Sequence, residues 1–135
     1  ITNAFIAGYP TFAEQHDEVA SILANHAIAG HAVNSELDAL APLMQGWAPE
    51  YAFCTLRMAK KLYPEQKRWS LGLLAANFGL DIQARELVGG KAHHALTDAM
   101  MTALLIQHFA AQHPERFERV RNESDLVRSR RQKAE

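Results

Sequence analysis

Only two stretches of the chain read as β-strands, residues 27–33 (AIAGHAV) and 51–55 (YAFCT), and both are short, apolar and bounded by polar residues or Pro49. Two strands do not make a stable sheet by themselves. The chain is therefore expected to adopt an α/β fold whose main sheet is completed by strands preceding Ile1. The helices around it follow from apolar periodicity and end signals. Thr11 and Glu14 fit a capping box ahead of Phe12, Val19, Ile22 and Leu23, a helical stripe running to about residue 25. Asn34 and Ser35 are expected to cap a helix carrying Leu37, Leu40 and Leu43, with Pro42 tolerable only near a first turn or at a kink. A helix from Thr55 stops before Pro64, and Ser70 is expected to cap another over 71–78 that ends at Gly79 in a left-handed cap. After a loop at Gly89 and Gly90, the longest helix spans 95–112, with Leu96, Ala99, Met100, Ala103, Leu104 and Ile106 on or near its inner face. Residues 1–113 read as the domain proper and 114–135 as a charged tail, helical or disordered.

Composition bounds the answer without choosing a chemistry. The 135 residues, 48% apolar and 21% charged, suit one soluble domain. No apolar run approaches the ~20 residues of a membrane span, and no signal segment opens the chain. A single cysteine, Cys54, excludes an intrachain disulfide framework and suits a reducing cytoplasm. The formal net charge of −1 gives no bulk attraction for phosphate backbones. An enzyme of nucleic acid with this balance must rely on local basic patches and bound metal cations.

The densest chemical signal is the run His93-His94-Ala95-Leu96-Thr97-Asp98-Ala99. Asp98 falls in the first turn of the longest helix, where the helix dipole and a metal both favour an ionised carboxylate. His93 precedes it by five residues, about 500° around one helix, so a loop histidine poised over a helix carboxylate suits it better. That arrangement fits a general base acting on a metal-activated water. His94 and Asp98, at i and i+4, form a rival chelating pair, and two surface histidines are the bland alternative. A second cluster, Gly30 to Asp38, ends a buried strand in acids at a helix start. It is either a metal position at a sheet edge or a capped helix with two solvated acids. The stretch CTLRMAKKLYP, residues 54–64, is an amphipathic helix with a basic edge, and Cys54 reads as a buried strand residue.

In this order the segments resemble the DEDDh, or DnaQ-like, 3′–5′ exonuclease family of the ribonuclease H-like fold, over about residues 1–113. The last run is similar to the family's third motif, which implies His93, not His94, as general base and Asp98 as a metal ligand. GHAVNSELDAL is similar to the second motif, in which an acid follows the histidine by five residues; that acid is Glu36 here, where the family usually has aspartate, and Asp38 breaks the spacing. CTLRMAKKLYP with Ser70-Leu71 is similar to the members that include exodeoxyribonuclease X and bacterial proofreading subunits.

The resemblance implies two Mg²⁺ or Mn²⁺ ions held by four carboxylates, of which this chain supplies Glu36 and Asp98. The family's first motif, an Asp-x-Glu on an N-terminal strand, occurs nowhere in the chain. It is expected upstream, leaving the chain weakly active or inactive alone. Contacts to nucleic acid are implied for His31, Asn34, Lys60, Lys61 and Ser70, with the 3′ end of single-stranded DNA as the favoured substrate. An exposed sheet edge also invites association, a homodimer among the outcomes. The competing expectation is an inactive exonuclease-fold module that binds nucleic acid or a polymerase or helicase partner through Lys60-Lys61, Lys67-Arg68, Arg128, Arg130 and Arg131.

Overall fold

A computed structural model describes residues 2–89 and 95–134, with the backbone alone at 129 and 130. The chain opens with a short helix, α1 (Asn3–Ile6), too brief to leave an apolar period in the sequence. It is followed by α2 (Phe12–Leu23), which starts on the expected capping box. The Thr11 hydroxyl accepts from the Glu14 amide at 3.3 Å, and the Glu14 carboxylate accepts from the Thr11 amide at 2.7 Å. Neither helix buries a residue, and Phe5, Ile6, Tyr9 and Ile22 stand exposed.

Strand β1 (Ile28–Gly30), helix α3 (Asn34–Leu40) and strand β2 (Ala52–Cys54) form a β–α–β unit with parallel strands, Ile28 opposite Ala52 and Gly30 opposite Cys54. Both strands are shorter than their apolar runs. The backbone turns away after Gly30 through Ala32 at φ +65°, and Thr55 already belongs to α4 (Thr55–Leu62). Helix α3 departs from expectation at both ends. Its N-cap is Val33 without a side-chain bond, so neither Asn34 nor Ser35 caps it. It stops at Leu40, ahead of Pro42, whose ring cannot continue a helix interior, and Leu43 is left exposed.

Helices α5 (Leu71–Asn77) and α6 (Leu80–Leu87) meet at Gly79, which takes φ +70° as a left-handed stop requires. Ser70 stands at the N-cap of α5 without a capping hydrogen bond from its side chain. Helix α7 (Ala95–Gln112) is buried through Met101, Leu104, Leu105 and Phe109, a spacing of i, i+3, i+4, i+8. Leu96 lies outside that stripe and is 62% exposed, against the sequence expectation, because five residues before Met101 the helix has turned well away from the core.

The main core joins α4, α5 and α7 to α8 (Pro114–Glu123) through Met58, Leu62, Leu74, Leu105, Phe109 and Val120. A second cluster of Val33, Leu37, Ala52 and Cys54 takes Leu126 and Val127 of α9 (Leu126–Ala134) against it. The turn between α8 and α9 closes the far edge of β2: the Cys54 amide donates to the Ser124 carbonyl at 3.2 Å, and Phe53 bridges Asp125 antiparallel. Residues on both sides of the expected boundary at 113 thus share the same core. Among the described residues, β1 is paired only with β2.

Candidate active site

Two acids from separate segments meet at one cleft of about 510 Å³. Glu36 reaches it from the first turn of α3, directly after β1, and Asp98 from the first turn of α7. Both side chains lie near the end of a helix where the backbone dipole attracts negative charge. Small residues, Ala29, Gly30, Ala95 and Ala99, keep the cleft open between them. Gly30 is needed for a further reason. A Cβ on it would sit 3.2 Å from the Glu36 carboxyl carbon and 3.1 Å from the fully buried Val33 side chain. The missing side chain is the space into which Glu36 folds.

His31 also lines the cleft, but both its ring nitrogens are engaged by the protein. Nε2 lies 2.6 Å from the Trp69 carbonyl oxygen, and Nδ1 lies 3.0 Å from the Thr55 hydroxyl. Burial pushes the imidazole below its ordinary pKa, opposed by the Trp69 carbonyl and by the charge of Glu36. A carbonyl only accepts, so the ring carries a proton on Nε2, and the Thr55 hydroxyl is the partner of Nδ1. The same hydroxyl lies 3.3 Å from the Gly30 carbonyl. His31 therefore pins the end of β1, the start of α4 and the segment before α5 to one another.

The remaining expected site residues are dispersed. Asn34 and Ser70 are exposed at the starts of α3 and α5 and do not line the cleft. Lys60 and Lys61 belong to the last turn of α4, at the opposite end from Thr55, about one and a half helical turns away. Lys61 is paired there with Glu123 at 2.7 Å, and its hydrogen bond and charge lower the Glu123 carboxyl pKa. Asp38 is exposed on α3 and lies outside the cleft walls. His93 and the rival His94 lie outside the described residues. Among the described residues, no three of His, Cys, Asp and Glu gather as a metal-holding group.

Sequence reasoning missed Thr55, Trp69, Leu71, Asp81 and Arg85. Leu71 and Asp98 also line a second cleft of about 320 Å³, to which α6 contributes Asp81 and Arg85. Asp81 and Arg85 are legible as an i, i+4 ion pair, but their nearness to Asp98 depends on the turn at Gly79. Chemically, two exposed carboxylates lining one cleft are hard oxygen donors of the kind that Mg²⁺ and Mn²⁺ take.

A family model described as exonuclease, RNase_T, matches residues 1–106. The chain is also 30% identical over 107 residues to the DNA polymerase III subunit epsilon of Aquifex aeolicus (strain VF5), across 76% of this chain and 50% of that protein. It thus spans about half the length of this curated relative. No solved structure matches.

Proposed function

We propose, for a chain that belongs to the RNase_T exonuclease family, that its Glu36–Asp98 cleft removes nucleotides from the 3′ end of nucleic acid by metal-dependent hydrolysis. The fold is the ribonuclease H-like α/β fold of DnaQ-like exonucleases. The observation that carries the activity is the convergence of Glu36 and Asp98, from the two motifs legible in sequence, on one cleft.

The donor chemistry fits divalent cations in kind, with Glu36 and Asp98 as the residues of this chain that would hold them. Two carboxylates are few for a pair of such ions, and residues 1–135 contain no Asp-x-Glu to add to them. When bound, divalent cations supply charge stabilisation to the attacking and leaving oxygens of an in-line displacement. His93 takes the proton of the attacking water as its oxygen bonds to phosphorus, and the bond from phosphorus to the 3′ oxygen breaks. A nucleoside monophosphate leaves, and the shortened strand keeps a 3′-hydroxyl. Single-stranded DNA is the proposed substrate, and a polymerase assembly the proposed partner class, after the name of the relative. No helix among the described residues is long and apolar enough to cross a membrane, and the one buried thiol, Cys54, agrees with a cytoplasmic setting.

The test is a 5′-labelled single-stranded oligonucleotide incubated with Mn²⁺ and either this chain or the complete product of its reading frame. A ladder of 3′-shortened products is expected from the complete product, abolished by EDTA and by His93→Ala, with little from residues 1–135 alone. No ladder from either, with the labelled strand still bound, favours the inactive binding module. A strong ladder from the 135-residue chain contradicts the expected shortage of ligands.

Gly30→Ala checks the geometry independently. The added Cβ would press on the fully buried Val33 and on the exposed Glu36 side chain, and Glu36 is the freer of the two to shift. A displacement of a few tenths of an ångström is expected to lower kcat by up to about tenfold in the complete product while the strand still binds. Full activity in the Gly30→Ala variant would show that Glu36 does not need the place it occupies.

A further inference from the structure

We infer that Arg85 is a phosphate contact for the substrate strand, and that the second cleft is the strand's path past Asp98. The inference rests on the exonuclease reading above. The two clefts share Leu71 and Asp98 as lining residues, so a strand that runs from one to the other passes the proposed reaction centre. Their acids are Glu36, Asp81 and Asp98, and the protein as a whole carries a formal charge of −1. A polyanion needs a local cation to lie there. Among the described residues lining the two clefts, Arg85 is the one permanently charged cation.

Its setting suits the task. Asp81, one helical turn earlier, holds the guanidinium at 3.4 Å, while the Arg85 side chain remains 50% exposed. The pair is long and its Arg85 end faces solvent, while the Asp81 side chain is 18% exposed, so it orients the fork and leaves the guanidinium open to a phosphate. A guanidinium matches phosphate oxygens in a bidentate geometry that a lysine cannot copy. Leu71, partly buried and lining both clefts, gives the strand an apolar contact.

The test measures binding and its salt dependence. The complete product, in a His93→Ala background with Mn²⁺ so that the strand is not consumed, is titrated into a fluorescein-labelled oligothymidylate over a series of salt concentrations. Arg85→Gln is expected to weaken binding about tenfold and to flatten the slope of log K against log salt by about 0.7, one phosphate contact on a single strand. Arg85→Lys should keep the slope and recover only part of the affinity. Asp81→Asn, which frees the guanidinium, should tighten binding about two- to threefold. With His93 restored, Arg85→Gln should raise KM and leave kcat nearly unchanged. A parental protein that binds and an Arg85→Gln variant with the same salt slope overturn the assignment alone. A parental protein that does not bind the strand at all removes both this inference and the exonuclease reading beneath it.

Discussion

Replacing Asp98 by alanine in the complete product is expected to lower kcat by at least about 10³-fold, several kcal/mol of lost transition-state stabilisation, with the fold unchanged. The two halves of this expectation have separate causes. Catalytically, Asp98 lines both clefts and, with Glu36, is one of the two carboxylates that line the larger of them. Structurally, the side chain is exposed, and the contact that α7 makes at this position is through the backbone: the Thr102 hydroxyl donates to the Asp98 carbonyl at 2.9 Å. Alanine preserves that bond and favours helix. The checks are single-turnover cleavage of the labelled strand, thermal melting by circular dichroism, and Mn²⁺ titration by calorimetry. Glu36→Gln should behave alike in all three, since it keeps the side-chain length that fills the space beside Gly30 and removes only the charge. Activity within tenfold of the parent for both variants, with melting unchanged, would place the chemistry elsewhere.

Legibility in the sequence followed the range of the interactions. The capping box at Thr11 and Glu14 and the left-handed stop at Gly79 are local events and could be read from a few neighbouring residues. Glu36 and Asp98 were legible as candidates because each closes a short motif, and the structure brings them to one cleft. What His31 does was not legible. Its partners, Thr55 and the Trp69 carbonyl, lie 24 and 38 residues away, and no periodicity encodes such pairings. Arg85 was hidden for the same reason, since only the packing of α6 against α7 brings it beside Asp98. The stripe of α2, none of whose residues is fully buried, shows the converse. A helical period predicts a face that seeks cover, and it cannot say which segment provides it.

The largest stability effect is expected at Asp125, in the segment where composition alone suggested a charged tail. Its carboxylate is buried and accepts from three backbone amides: Ala52 at 2.9 Å, Val127 at 3.0 Å and Arg128 at 3.3 Å. The first bond ties it to β2, and the other two cap the start of α9. Asp125→Ala would strand the amide of Ala52, a fully buried residue, at about 1–3 kcal/mol and remove a helix cap worth about 0.5–2 kcal/mol. A total near 3 kcal/mol is a large fraction of the stability of a domain this size, and should lower Tm by about 10 °C or more. Asp125→Asn retains an oxygen that can accept from Ala52, so a clearly smaller loss is expected. Ending the chain at His113 goes further. It removes Val120 from the main core, Leu126 and Val127 from the second, and the Ser124 carbonyl that pairs Cys54, and it leaves the far edge of β2 open. That shortened chain is expected to lose cooperative melting altogether. If it melts sharply near the parent's Tm, the domain proper does end at 113, and the buried carboxylate of Asp125 serves only to dock an appendage.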